Sequence, residues 1–342
     1  MSGSGGSSVQ RWTPLSVGAA AGSAGIIVAL AFAPLLMSAN AVDRMTTLFI
    51  YVILAVMWNA LAGFGGLVSV GQQAFIGLGA YAAIRLSDFG VDVYASLALA
   101  AVAVGVAAWP ISLFMLRLRA GEFAIGMWVL AELIHLLVNL DGLVKGETGT
   151  SLIALNAFSA EARRNANFWC SLAAMVLLVA AVFVLLRSRA GLSIQALRDD
   201  EDAAASLGVD VVARKRLIFV LAAAGCALAG ALWLATSITF QPRTYFGVHW
   251  TAYMIFMALV GGLGTFEGPF LGAIIFFLIE SWFGETGVWY MIGLGLTALL
   301  FALFVPQGLW GLLEGRFGLR LLPVGYRLRV RSGEPAAHEN EA

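Results

Sequence analysis

Three polar side chains share one face of a predicted helix. Glu132, His135 and Asn139 stand at positions i, i+3 and i+7 of a run that is otherwise apolar. Ionisable groups within a bilayer are costly and face the interior of a helix bundle, so a Glu–His pair there could line a polar path or relay protons. A structural pair near the outer end of the span is the alternative, and the sequence leaves both interpretations open.

The other reactive side chains form no recognisable site. Cys170 and Cys226 lie in apolar runs without a Cys-x-x-Cys spacing, and the three histidines show no metal-ligand pattern. Neither lysine, Lys145 or Lys215, belongs to a GxxxxGK[ST] loop of the kind that cradles ATP. We therefore expect no enzyme, no metal and no cofactor. The net charge of zero gives no argument for a nucleic-acid partner.

Two apolar segments carry more glycine than a straight helix needs, at residues 63–80 and 261–268. Non-helical backbone within a membrane is tolerated where protein or a watery cavity covers it, and broken helices let transporters bind substrate through freed backbone groups. The alternative is tight packing of small residues, with Gly264 and Gly268 at GxxxG spacing.

A polar stretch at residues 187–216 contains signals for a short helix. Asp199 and Asp200 stand where N-caps belong, and Gly208 follows the helical run 201–207 as a C-terminal stop. The acidic start also suits the helix dipole. The sequence therefore predicts a two-turn surface helix inside this loop.

The elements that must position these residues are membrane helices. The chain is 61% hydrophobic and 12% charged, against roughly 25% charged residues in soluble domains. About 20 apolar residues match the thickness of a bilayer core. The apolar runs predict about ten spans, at residues 17–37, 45–63, 72–87, 94–116, 123–140, 168–186, 217–238, 250–261, 269–283 and 288–305.

The arginines and lysines are distributed unequally between the loops on the two sides of the membrane. If loop 187–216 is cytoplasmic, most cations are cytoplasmic and both termini lie inside, as the positive-inside rule favours. Residues 1–14 then form a flexible cytoplasmic N-terminus, 15–315 the membrane domain with an external loop at 141–167, and 316–342 a cytoplasmic basic tail. The cations left outside are Arg44, Arg85, Lys145, Arg163, Arg164 and Arg243.

Four segments resemble the permease subunits of bacterial branched-chain amino acid ABC importers, specifically the longer of the two permeases. They read GLVSVGQQAFIGLGAYAA at 66–83, the span and external turn at 118–149, ALRDDEDAAASLGVDVVARKR within 196–232, and MALVGGLGTFEGPFLGAII at 257–275 together with FVPQGLWGLL at 304–313. The order of the segments matches that of the family. Two departures stand out, because Gln72 replaces a histidine and Glu122 replaces a tyrosine.

The resemblance implies an all-α polytopic membrane protein with about ten transmembrane helices, some short or broken, and a cytoplasmic coupling helix. It implies a bacterial inner-membrane importer in which a periplasmic substrate-binding protein delivers a small amino acid to two permease subunits. Two cytoplasmic ATPase subunits then drive alternating access by pushing on the coupling helix. The residues carried over to that contact are Asp199, Asp200, Glu201, Ala203, Ala204 and Gly208.

A zwitterionic substrate needs donors, acceptors and an apolar lining without a fixed charge that would trap it. Freed backbone near the glycine-rich segments and nearby amide side chains could supply these groups. Two alternatives remain: an importer of urea or short-chain amides, and a proton-coupled secondary transporter that uses Glu132 and His135. The predicted pathway residues are Asn59, Gly71, Gln72, Gln73, Gly261, Gly262 and Gly264.

Overall fold

A computed structural model describes residues 7–10, 14–318, 321–324 and 327–330. Most of the predicted tails, at 1–14 and 316–342, lies outside those ranges. The helices are α1 (Pro14–Ala31), α2 (Ala33–Leu36), α3 (Ala39–Asn59), α4 (Gln73–Asp88), α5 (Val93–Met115), α6 (Ala120–Asn139), α7 (Ala160–Arg187), α8 (Arg189–Asp199), α9 (Glu201–Ser206), α10 (Val211–Ser237), α11 (Pro242–Tyr245), α12 (His249–Gly261), α13 (Gly268–Phe283), α14 (Val288–Phe304) and α15 (Gly308–Phe317).

Short elements complete the fold. A π-helical turn, Ala60–Phe64, continues α3, and the 3-10 helices are Gly146–Thr148, Ile153–Ala157 and Gly284–Thr286. Strand β1 (Ser7–Gln10) pairs antiparallel with β4 (Arg327–Val330), and β2 (Thr150–Ser151) pairs antiparallel with β3 (Thr239–Phe240).

Each predicted span coincides with a helix. Within the described ranges, eight helical segments are long and apolar enough to cross a bilayer. Helices α4 and α12 are shorter, with 16 and 13 residues, because a non-helical segment borders each of them. The prediction of an all-α polytopic membrane protein with some short or broken helices is confirmed.

Both predicted loops are shorter in the structure. The external loop, predicted at 141–167, ends when α7 begins at Ala160, where the Ser159 hydroxyl accepts a bond from the backbone of Ala162 at 3.2 Å. The loop predicted at 187–216 ends when α10 begins at Val211. This second loop contains α8 as well as the predicted short helix.

Helix α3 lies at the centre of the bundle. Its residues from Phe49 onward are buried through the π-helical turn, and α4, α10, α12 and α13 supply much of the core around it. By contrast, α1 and α14 expose mainly apolar side chains, as surfaces that face lipid or another apolar partner do.

The contacts distinguish the two ends of the bundle. We call the end that carries α8 and α9 the coupling end; there Arg198 of α8 contacts Gly63 after α3. At the opposite end, Asp43 at the start of α3 pairs with Arg164 at the start of α7. The external loop also lies there, where the Leu152 N–H donates to the carbonyl of Ile238.

Candidate functional site at the coupling end

The short helix α9 is built by the predicted signals. The Asp200 side chain accepts a bond from the backbone N–H of Ala203 at 2.9 Å, and Gly208 stops the helix with φ of +83°. The predicted helix is confirmed, with its start at Glu201. Two details differ, because the helix ends at Ser206 and Asp199 is the last residue of α8 rather than a cap.

One face of α9 packs and the other is exposed. Ala204 is buried, and Glu201 forms an ion pair with Lys215 of α10. Ala203 is exposed, and Leu207 just after the helix is 86% exposed. The outer face of α9, which carries Ala203 and ends at Leu207, is therefore accessible to another protein.

Helix α8 was not predicted, and it brings Arg198 to the glycine-rich segments. The Ser188 hydroxyl caps the helix by accepting a bond from the Gly191 N–H at 3.2 Å. The side chains of Ile194 and Leu197, on the inner face of α8, are buried. The Arg198 guanidinium donates to the Gly63 carbonyl at 2.6 Å. A Cβ added at Gly264 would lie 2.7 Å from the same guanidinium.

Residues 65–72, here the first break, enter the bundle between α3 and α4. The Trp58 indole N–H donates to the Ser69 carbonyl at 3.0 Å. A Cβ at Gly71 would lie 1.9 Å from the Met127 carbonyl oxygen, in the eighth residue of α6. At a rise of 1.5 Å per residue, Gly71 therefore lies about 10 Å inside the start of α6.

Two glutamines begin α4. Gln72 is fully buried, and neither its amide nitrogen nor its amide oxygen has a hydrogen-bond partner among the described residues. Gln73 is also buried, and its side-chain oxygen accepts a bond from the Thr251 hydroxyl of α12. An unpaired buried amide is costly, so the Gln72 side chain is a candidate to form hydrogen bonds with a ligand.

Residues 262–267, here the second break, make a tight turn between α12 and α13. Gly262 and Gly264 have φ of +139° and +76°, which other residues rarely adopt. The Thr265 hydroxyl donates to the Gly262 carbonyl at 2.7 Å, and the Gly268 N–H donates to that hydroxyl at 3.1 Å.

The position and packing of the second break decide between the two interpretations of its glycines. It lies at the coupling end beside Arg198 and α15, since a Cβ at Gly308 would meet Gly262 at 2.4 Å. Gly264 and Gly268 do not form a GxxxG helix contact. They serve the turn itself, since a Cβ at Gly268 would meet the Thr265 hydroxyl at 2.4 Å.

Asn59 joins α3 to the second break. Its side-chain oxygen accepts from the Gly264 N–H and its nitrogen donates to the Thr265 carbonyl, both at 2.8 Å. Gly261 packs against α13, where a Cβ would lie 2.0 Å from the Gly268 carbonyl oxygen. The predicted pathway residues are thus brought into two groups: Asn59 with the second break, and Gly71, Gln72 and Gln73 at the start of α4.

The predicted Glu132–His135 pair belongs to a larger cluster at the opposite end. His135 lies 3.3 Å from Glu132, but its other ring nitrogen lies 2.9 Å from Glu147 of the external loop. Asn139 also donates to Glu147 at 2.6 Å, and so does the Arg243 N–H at 3.0 Å. Although partial burial of the Glu147 carboxylate opposes the shift, these bonds hold its pKa below the usual value.

Comparison with known proteins agrees with this architecture. A family model described as the permease component of branched-chain amino acid transport systems matches residues 40–314. The high-affinity branched-chain amino acid transport system permease protein LivM of Salmonella typhimurium is 28% identical over 311 residues, which cover 83% of this chain and 73% of the relative. The protein of the same name from Escherichia coli matches to the same extent.

More distant similarities have narrower coverage or lower structural agreement. A probable LivM permease of Methanocaldococcus jannaschii is 24% identical over 166 residues, 48% of each chain. A solved structure of a proposed metal-chelate type ABC transporter, in an inward-facing conformation, covers 88% of this chain and 100% of its own, with 17% identity and a TM-score of 0.45. On the family match, this chain belongs to the permease components of branched-chain amino acid ABC transport systems.

Proposed function

We propose that the chain is one of two permease subunits that carry branched-chain or related small amino acids across the bacterial inner membrane by alternating access. The printed names of the relatives, which describe branched-chain amino acid transport, support this substrate class. A periplasmic binding protein delivers the substrate, and two cytoplasmic ATPase subunits supply the energy.

The proposed ATPase contact is the outer face of α8–α9, with Asp199, Asp200, Glu201, Ala203, Ala204 and Gly208 shaping it. In this proposal Ala203 meets the partner directly, since it is exposed, while buried Ala204 anchors the helix. The Glu201–Lys215 ion pair holds the helix against α10, so a push on α9 is passed to the bundle.

The observation that carries the proposal is the position of Arg198. This residue comes three positions before the start of α9, donates to the end of α3 and lies against Gly264 of the second break. A displacement of α9 therefore acts on both broken segments through one side chain. Charge-assisted bonds of this type are shorter and stronger than neutral ones, which suits a mechanical link.

The proposed substrate pathway runs past the start of α4, where Gly71, Gln72 and Gln73 lie. The unpaired amide of Gln72 is the group on which this proposal relies. Asn59, Gly261, Gly262 and Gly264 have intramolecular contacts, so we assign them to holding the second break near that pathway. The pairing of β1 with β4 supports termini on one side, for which the proposal assigns the cytoplasm.

The test is reconstitution of the complete importer with Arg198→Gln, in liposomes that contain ATP. We expect ATP hydrolysis within about twofold of wild type and leucine uptake reduced about tenfold, because losing a bond to a charged group costs roughly 1.5–3 kcal/mol. The matched control is Arg189→Gln, an exposed arginine at the start of the same helix. The control should leave both rates unchanged.

Different failures identify different errors. If Arg198→Gln loses ATP hydrolysis and uptake equally, Arg198 maintains the structure of the complex and does not transmit the motion of α9 to the bundle. ATP-driven uptake of urea or acetamide but not leucine would change the substrate class. Uptake by the chain alone, abolished by collapsing the proton gradient, would replace the importer with a secondary transporter.

A further inference from the structure

An acidic residue inside α13 has no part in the coupling end. Glu280 lies three residues before the end of the short helix α13, and its side chain is only partly buried. The Tyr51 hydroxyl of α3 donates to its carboxylate at 2.7 Å. A carboxylate within a membrane span is costly, so its retention indicates a function or a polar neighbour.

Tyr51, the partner of this carboxylate, belongs to an aromatic cluster. Tyr51 packs edge-on against Phe276 at 5.0 Å between ring centroids, and Trp233 stacks on Tyr51 at 6.1 Å. Tyr253 lies 4.7 Å from Phe276 and 6.4 Å from Tyr290. The rings come from α3, α10, α12, α13 and α14, so five helices contribute to the cluster that holds Glu280 through Tyr51.

A second polar group in the cluster is unsatisfied. Tyr290 is only 7% exposed, yet its hydroxyl has no hydrogen-bond partner anywhere in the described part of the chain. The Tyr290 ring reaches the cluster through Tyr253, 6.4 Å away between ring centroids. Its buried hydroxyl is therefore available to a ligand that forms hydrogen bonds within the cluster.

The chemistry of this cluster fits an organic ammonium group. An ammonium has three N–H donors, for which the Glu280 carboxylate and tyrosine oxygens are acceptors, and aromatic faces attract cations. A metal ion fits less well, since the described residues include no group of three or more His, Cys, Asp or Glu side chains that could hold one.

An apolar groove between α13 and α14 adjoins the cluster at Tyr290. It has a volume of about 540 Å³, is open on one side at exposed Phe283 and Trp289, and is also lined by Phe256 and Leu294. Ligand pockets in proteins commonly measure roughly 300–1,000 Å³. An aliphatic side chain attached to the ammonium carbon could therefore occupy this space while the charge stays beside Glu280.

We propose that Glu280, with Tyr51, Tyr253 and Tyr290, forms a site for the protonated amino group of an aliphatic amino acid. The identity of the ligand rests on the proposed function, whereas the preference for an ammonium rests on the cluster alone.

The test uses the complete importer in lipid nanodiscs without its binding protein, so that the permease alone selects the ligand. Binding of radiolabelled leucine is measured in competition with 3-methylbutylamine, which lacks the carboxylate, and with 4-methylpentanoate, which lacks the amine. We expect the amine to displace leucine and the acid not to do so at the same concentration.

Variants then assign the effect to the cluster. Glu280→Gln keeps the size of the side chain and an acceptor for Tyr51, so it should fold, and we expect about tenfold weaker leucine binding from the loss of a charged partner. Tyr290→Phe should weaken binding less, by about threefold, since a neutral bond is lost. The matched control Glu285→Gln, exposed in the 3-10 helix after α13, should bind as wild type does.

Three results would overturn the site. The first is that wild type binds neither leucine nor the amine, even when the unlabelled ligand is at 50-fold the concentration of the radiolabelled probe. The others are equal competition by the acid and the amine, and unchanged leucine binding in Glu280→Gln. Parallel ATP-driven uptake with the binding protein separates the two proposals. If uptake is normal while the amine test fails, the importer stands without this site. If the amine binds through Glu280 but no amino acid is transported, the site stands and the proposed function fails.

Discussion

The two breaks are both rich in glycine, but they need it for different reasons. In the first break, Gly71 allows the chain to lie directly against the backbone of α6, and a Cβ would collide with a carbonyl oxygen. In the second break, Gly262 and Gly264 supply positive φ for a tight turn. Glycine content alone predicts an interrupted helix; only the contacts distinguish close packing from turn geometry.

The largest effect is expected at the first break. In Gly71→Ala the new Cβ would lie 1.9 Å from the Met127 carbonyl oxygen, so the first break and α6 must separate at a cost of about 3 kcal/mol in the free energy of unfolding. We expect a lower thermal midpoint in detergent and loss of uptake. Gly121→Ala is the control, because nothing lies within 4 Å of its Cβ position; equal midpoints for the two variants would contradict the packing role.

A smaller effect is expected from untying the second break. Asn59→Ala removes both bonds to Gly264 and Thr265, at a cost of about 2 kcal/mol in unfolding free energy. Asn59→Asp should lose more than Asn59→Ala, because its buried carboxylate keeps the bond from the Gly264 N–H but turns a second oxygen, which cannot donate, towards the Thr265 carbonyl. Thermal unfolding of the purified subunits measures the order, and an Asp variant more stable than the Ala variant would argue against the bond to Thr265.

The next comparison separates stability from function within the first break. Gln72→Met replaces an amide without partners among the described residues. The unfolding free energy should therefore either increase or fall by less than about 1 kcal/mol. Uptake should fall. Gln73→Met is the matched control, since it breaks the bond from Thr251 and should lower stability. If Gln72→Met transports normally, Gln72 does not contact the substrate.

The smallest effect is expected far from both breaks, at the opposite end. Bonds from Tyr81, the Leu143 N–H and Arg85 lower the pKa of Asp141 to about 2. A carboxylate with a lowered pKa stabilises the fold above its unfolded pKa of about 4, and this contribution disappears as pH falls towards 2. The difference in thermal midpoint between wild type and Asp141→Asn should therefore be largest at neutral pH and should shrink towards zero at about pH 2. A difference that does not vary with pH would contradict this prediction.

Local signals in the sequence predicted most of the fold. Apolar runs located every span, because run length is set by bilayer thickness, and Asp200 with Gly208 located α9, because caps act within one turn. Helix α8 was missed, since its stabilising contacts are the burial of Ile194 and Leu197 against other elements. The first two turns of α7 were missed because their polar residues resemble a loop.

The functional contacts depend on partners far along the chain. Arg198 and Gly63 are 135 residues apart, and Tyr51 and Glu280 are 229 residues apart. No spacing rule connects such positions. Glu280 nevertheless carried a usable signal, because it is an acid inside the predicted span 269–283. The link between Asn59 and Gly264 had no signal, since the sequence does not show which buried amide meets which turn.

The solvent-facing leucine at the tip of α9 has a consequence for subunit supply in the cell. Leu207 is 86% exposed, and apolar groups presented to water are what chaperones and proteases recognise in unassembled chains. We expect copies made in excess of their ATPase to be removed rather than stored. If Leu207 docks on the ATPase as proposed, the residue that assembly covers would then also limit the number of unassembled copies.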